Sequence, residues 1–310
     1  MDKTAQPPFR RAHRLLALAV LLVTCLAVFS NLSHPRAADF IAYWAAAVLA
    51  LQGTPAAAYD PATLAATQAI AAHSDALMPF GYPPAFLLVA LPFGLLPYTA
   101  AVAAWIVATA TAYLAAAQRW MPGWGWLAAA FPPVAVNGMI GQNGMLTAAL
   151  VLLAAAFLKS RPFVAGLFAG CLVLKPQLAI LYPLAFVAGG QWRAFAGAAC
   201  SAVGLSALAW LCFGAGTYLA MAKAMPLFVT VMADGASGWQ RMASVYSALR
   251  LAGCAHGVAM AAHVTVALAA AAMVAVVWRS RHDTPAKMAV LVAASALATP
   301  YLYVYDTVML

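Results

Sequence analysis

Not one glutamate occurs in the 310 residues, and aspartate supplies all seven acidic side chains. Charged residues of both signs make up only 7% of the chain, against roughly 25% in an ordinary soluble domain. That scarcity excludes a separately folded soluble domain, because no stretch is long and polar enough to surround a core with charge. CxxC spacing is missing as well. Cys25, Cys171, Cys200, Cys212 and Cys254 stand apart, most of them inside apolar stretches, which excludes a zinc ribbon or a disulfide framework and leaves small packing residues. Although the net charge is +9, the cations come in ones and twos between apolar runs. No nucleic-acid partner is expected from such scatter, and the cations read as topology signals. Nor does any internal repeat stand out.

What is abundant is apolar surface: 66% of residues are hydrophobic and the mean hydropathy is +0.91. A spanning helix needs about 20 apolar residues, so the chain has room for roughly eight to ten spans. The expected fold is all-α and integral to the membrane, a polytopic helical bundle forming one domain over residues 1–310. The basic start MDKTAQPPFRRAHR before a long apolar run imitates a signal peptide, but no small-x-small site follows. A retained first span near residues 15–30 with a cytoplasmic N-terminus is the better reading.

With Arg10, Arg11 and Arg14 inside, residues 31–82 form the first external loop. Within it, residues 39–52 are apolar but too short to span, and predict a helix lying at the interface. Asp60 before Pro61 predicts a second short helix, capped by the aspartate. Residues 84–118, interrupted by Pro92 and Pro97, read as a single crossing, because that count puts Arg119, Lys159, Arg161, Arg193, Arg279, Arg281 and Lys287 together on the cytoplasmic side. Further spans are expected near 124–140, 143–158, 162–174, 178–190, 194–213, 257–278 and 286–304, several of them short. The external tips then carry Gly141 to Gly144, Lys175 to Gln177, and a loop over about 214–256. The chain stops in an apolar segment, so it is expected to be short for its kind or to lack C-terminal helices.

So few acids can be weighed singly. Asp2 and Asp283 read as solvated charges, Asp60 as a cap, Asp75 as part of a polar turn beside His73 and Ser74, and Asp234 as a loop acid. Asp39 differs, because it opens an aromatic-rich helix at the membrane boundary. A partly desolvated carboxylate there is suited to general-base work, and equally to capping the helix it precedes. Lys175 lies deep in apolar sequence and needs an anionic partner, either a protein carboxylate or a lipid phosphate, unless it snorkels. The amides of Gln142 and Asn143 suit a sugar or head group, or a plain turn. Tyr82 before Pro83 and Pro84 reads equally as a helix entry.

In order, Asp39, Tyr43, Trp44, Gly53, Tyr59 and Asp60, then Phe80, Tyr82, Pro83 and Pro84, Gly141 to Asn143, Lys175 and Pro176, Pro300 and Tyr301, and Tyr305 and Asp306 form a set that resembles family 87 of the membrane-embedded GT-C glycosyltransferases, the polyprenyl-phosphate-mannose-dependent type. The resemblance implies a GT-C-type bundle in the inner (plasma) membrane, serving the cell envelope. It implies inverting transfer of a hexose, typically mannose, from a polyprenyl-phosphate donor on the outer face to a hydroxyl of a lipid or glycan acceptor. Carried onto this chain, Asp39 is the general base and Lys175 meets the donor phosphate, with Arg241 or Arg250 in its stead. Tyr43, Trp44, Tyr82, Gln142, Asn143 and Gln177 would line the substrate site. Neither a metal nor another cofactor is expected. The competing readings are a transporter or flippase of a lipid-linked or small polar solute, whose polar groups belong at the midplane of repeated halves, and a non-catalytic membrane assembly partner.

Overall fold

A computed structural model of the chain describes Leu22 and residues 39–72, 77–123, 125–236 and 238–310. The expected first span, its cytoplasmic N-terminus, Cys25, Asp2 and Asp75 lie outside these residues. Among the described residues every regular element is a helix, and the one extended pairing is an isolated antiparallel bridge between Met242 and Tyr303.

Helix α1 (Phe40–Leu51) begins after Asp39 and stops before Gly53, which turns the chain at φ 80°. Its side chains are buried nearly all round, from Phe40 to Ala47 and at Leu49, so protein covers it on most sides. A 3-10 turn (Pro55–Tyr59) leads to α2 (Pro61–Ala72), where Asp60 Oδ2 accepts from the Thr63 backbone N–H at 2.8 Å. The next apolar stretch divides at Leu95 to Pro97 into α3 (Pro84–Gly94) and α4 (Tyr98–Trp120). Only α4 is long enough to cross, so this segment supplies one crossing by length. The span expected over 124–140 is instead broken into α5 (Gly125–Ala129) and α6 (Pro132–Ile140). Pro132 and Pro133 lack backbone N–H groups and push the residue before them out of helical geometry.

Helix α7 (Gly144–Leu158) and α8 (Pro162–Gly170) follow, and α8 tightens into a 3-10 turn (Cys171–Leu174) before Lys175. Another short turn (Pro176–Leu178) precedes α9 (Tyr182–Ala188). Helix α10 (Trp192–Ala233) contradicts the expected loop beginning near Gly214. Gly214 sits at φ 76°, ψ 163°, and joins two helical arms. The Tyr218 hydroxyl donates to the Ser206 carbonyl at 2.7 Å. Twelve residues of straight helix would separate those groups by about 18 Å, so the second arm folds back along the first. Past a 3-10 turn (Trp239–Arg241) come α11 (Val245–Leu251), α12 (His256–Arg279), α13 (Thr284–Ala298) and a terminal 3-10 segment (Val304–Met309). The last expected span therefore ends early, at Thr299 and Pro300.

Two apolar clusters hold these helices. One gathers α1, α3 and the first half of α4 around Phe40, Tyr43, Phe86 and Trp105. The other gathers the rest of α4 with α7, α8, α9, α12 and α13 around Leu172, Phe186, Trp278 and Leu291. Helices α8 and α10 touch backbone to backbone: a Cβ on Gly166 or Gly170 would overlap the carbonyls of Ala194 or Ala198, and one on Gly197 the carbonyl of Phe163. Small residues permit this approach, and dispersion between the close backbones holds it. Gly170→Leu is therefore expected to lower stability by about 1–3 kcal/mol through forced separation. Thermal unfolding in detergent micelles measures it, and a wild-type melting temperature would refute this account of the crossing.

Candidate active site

The site forms where three breaks in the helices meet. Gly141 ends α6 in the left-handed region, at φ 68°. A Cβ there would come within 2.7 Å of Phe40 Cβ, so only glycine lets this turn close on the start of α1 and bring Gln142 to Asp39. The backbone carbonyl of Asn137 accepts from Gly141 and Gln142 N–H groups at 2.9 and 3.2 Å, while its Nδ2 donates to the Tyr305 carbonyl at 2.7 Å. One buried amide thus ties the turn to the C-terminal segment. Thr299 donates to the Gln177 carbonyl at 3.1 Å, fixing the second break against the third.

Asp39 does not cap its helix; its side chain makes no capping bond. Its Oδ2 instead accepts from Gln142 Nε2 at 2.7 Å. Gln142 Oε1 accepts from the hydroxyls of Tyr43 at 2.5 Å and Tyr82 at 3.1 Å, and those hydroxyls stand 2.8 Å apart. The amide orientation follows, since an ionised carboxylate only accepts, and so the NH₂ group must face Asp39. Burial raises the Asp39 carboxyl above its ordinary value, while the Gln142 bond and the charges of Arg241 and Lys175 pull it down.

Beneath this chain of bonds, Lys175 is buried and donates to Asn143 Oδ1 at 3.1 Å. Its anionic partner is a protein carboxylate, Asp306 Oδ1 at 2.5 Å, with the two side chains 4% and 1% exposed. The ammonium also lies 5.9 Å from the centre of the Tyr82 ring and 5.0 Å from that of Tyr305. Arg241 lies near enough to Asp39 for its charge to act on the carboxyl. The Met242–Tyr303 bridge and the Ala243 N–H to Leu302 carbonyl bond, 2.7 Å, hold its turn against the segment leading to Tyr305. Arg241 is exposed, and among the described residues no carbonyl or carboxylate accepts from its guanidinium.

The structure therefore brings together Asp39, Tyr43, Tyr82, Gln142, Asn143 and Lys175, with Arg241 at the edge. Trp44 points elsewhere, its indole donating to the Leu96 carbonyl at 3.0 Å and its ring meeting Tyr98 edge-on. Gln177 is exposed, and its recorded bond is through the backbone. Arg250 donates to the carbonyls of Cys254 and Ala233 and stacks over Trp239. Three residues of the site had no role from sequence: Asn137, Tyr305 and Asp306. A signal existed for Asp306, because an acid in an apolar terminal stretch is as anomalous as a lysine in one, and the two anomalies resolve each other.

Among the described residues no three His, Cys, Asp or Glu side chains gather. The assembled groups can accept a proton at Asp39, hydrogen-bond a polyol through amides and phenols, and present Arg241 as an exposed cation without an internal acceptor among the described residues. All of them lie at the end of the bundle where α7 and α12 begin and α13 finishes. Arg119, Lys159, Arg161, Arg193, Arg279, Arg281 and Lys287 lie at the other helix ends. Residues 80–300 match a family model described as glycosyltransferase family 87. No curated protein and no solved structure matches the chain.

Proposed function

Because the chain belongs to glycosyltransferase family 87 and is thereby a membrane glycosyltransferase, we propose that it moves a hexose, mannose by the resemblance, from a polyprenyl-phosphate donor to an acceptor hydroxyl on the non-cytoplasmic face, with Asp39 as general base. The observation that carries this reading is the Asp39 carboxylate, turned away from helix capping and held by Gln142. An acceptor hydroxyl at its free oxygen gives up its proton as the hydroxyl oxygen bonds the anomeric carbon. The bond from that carbon to the donor phosphate breaks on the opposite face, and its electron pair leaves with the phosphate. A single displacement of this kind inverts the centre.

Arg241 suits the departing charge, since it alone of the three candidate cations is both exposed and without an internal acceptor among the described residues. Lys175 then serves from below, its charge matched by Asp306. An apolar crevice of about 660 Å³ between the arms of α10, floored by Val173 and walled by Trp210 and Tyr218, favours a lipid-borne donor. The cation-bearing helix ends favour a cytoplasmic place for the opposite pole and an outer-face site.

The test is transfer in membranes carrying the protein, with radiolabelled mannose offered on a polyprenyl phosphate or on a nucleotide. Transfer from the lipid-linked donor alone is expected. Solute uptake by proteoliposomes without donor consumption would support transport instead. The acid limb of the pH profile gives a second check. It should lie above 3.8, the ordinary aspartate value, because burial raises Asp39. Arg241→Ala removes a charge that favours the carboxylate, so the limb should move to still higher pH. A limb that stays put or moves to lower pH would contradict the placement of Arg241 beside the base.

A further inference from the structure

The guanidinium of Arg250 is held by the protein through both of its terminal nitrogens, while its buried Nε has no partner among the described residues. It lies 4.5 Å from the centre of the Trp239 ring, donates to the Cys254 carbonyl at 2.9 Å, and donates to the Ala233 carbonyl at 3.3 Å. Ala233 is the last residue of α10, and its carbonyl lies at the helix C-terminus where the backbone dipole favours a cation, while Cys254 lies in the linker between α11 and α12. Trp239 is held from its other edge, with its indole N–H donating to the Met232 carbonyl at 3.0 Å. Its ring lies against Gly235, where a Cβ would come within 2.7 Å of the indole and where φ is 75°. Trp239 begins the short turn that Arg241 ends. Beyond the turn, the bridge from Met242 to Tyr303 and the Ser244 hydroxyl bonded to the Pro300 carbonyl fasten the chain to the C-terminal segment.

We propose that Arg250 is a positioning residue that works through Trp239 to hold the Arg241 turn at the mouth of the site, and that it does not itself contact the donor phosphate. The proposal rests on the phosphate-donor reading for its functional consequence. Its geometry stands apart from that reading. A brace of this design gives the arginine on α11 and the arginine in the turn separate work. One guanidinium anchors the loop by its planar face and its fork of donors, and the other is left free.

The experiment uses purified full-length protein in detergent, with farnesyl phosphate as a soluble competitor of transfer. Arg241→Ala and Arg250→Ala should each weaken inhibition by about tenfold, the worth of one charge-assisted bond. The double variant should be no weaker than Arg241→Ala alone, because the brace has nothing left to position. Trp239→Phe keeps an aromatic face and should retain most of the inhibition, whereas Trp239→Leu should lose it. Additive losses in the double variant, or an unchanged inhibition constant in Arg250→Ala, would overturn the proposal.

A nitroxide at Arg241→Cys, in a background without the other cysteines, reads the brace without any ligand. Its spectrum should sharpen when Arg250→Ala is added, and also with Arg250→Lys, which keeps the charge but lacks the planar fork. A lineshape indifferent to position 250 would overturn the brace. Failure of farnesyl phosphate to inhibit the wild type would count against the donor reading, while the nitroxide still decides the brace.

Discussion

Asp306→Asn is expected to destabilise the protein by about 3–5 kcal/mol, the cost of leaving one member of a buried ion pair without its counter-charge. Lys175 and Asp306 are almost fully enclosed, so water cannot take over for the missing carboxylate. The remaining acceptor, Asn143 Oδ1, is neutral. Replacing both charges, as Lys175→Met with Asp306→Leu, should recover most of that stability, because an apolar pair of similar volume avoids desolvating either ion. Transfer should stay low in the double variant, since Tyr82 and Tyr305 would lose the cation that lies by their rings. Thermal unfolding and transfer, measured on the same detergent-purified samples, separate the two effects. Wild-type stability in Asp306→Asn would show that the pair is not closed to water as described.

The same pair shows how far sequence reasoning reached. Lys175 announces itself because an unpaired ammonium in apolar sequence is costly, and that cost demands an anion without saying which. The carboxylate that answers lies 131 positions on, and no local pattern encodes so distant a contact. Asp60 was legible for the opposite reason. Its cap is a bond within one turn, to Thr63, and capping chemistry is local. Asp39 falls between these cases. The residue type and position offered two roles, and only the approach of the Gly141 turn to Phe40 shows that its carboxylate faces Gln142 rather than the end of its own helix.

Helix limits were legible where proline or glycine breaks the backbone outright, as at Gly53, Pro84 and Pro162. They were less so where apolar content alone was counted. Residues 124–140 have the hydropathy of a span, yet Pro132 and Pro133 divide them into two short helices. Residues 215–233 carry polar interruptions and Pro226, which reads as loop, yet they form a helical arm laid back on its neighbour. Tertiary contact overrode propensity there. Trp44 illustrates a further limit, since adjacent aromatics on α1 look equivalent in sequence. Tyr43 and Trp44 project about 100° apart around the helix, and only Tyr43 faces Gln142.

Catalysis by Asp39 is the claim on which the functional account turns, and Asp39→Asn is its most direct measurement. The substitution keeps the side chain's shape and an oxygen able to accept from Gln142 Nε2, so the site should assemble as before. It removes the negative charge and with it the capacity to take a proton. Rates of hexose transfer from a polyprenyl-phosphate donor, compared at equal amounts of folded protein, should fall by about 10²–10⁴-fold, the usual contribution of a positioned general base. The Michaelis constant for the donor should change little. Transfer by Asp39→Asn at the wild-type rate would contradict the account, because no other unpaired carboxylate lies in this site among the described residues.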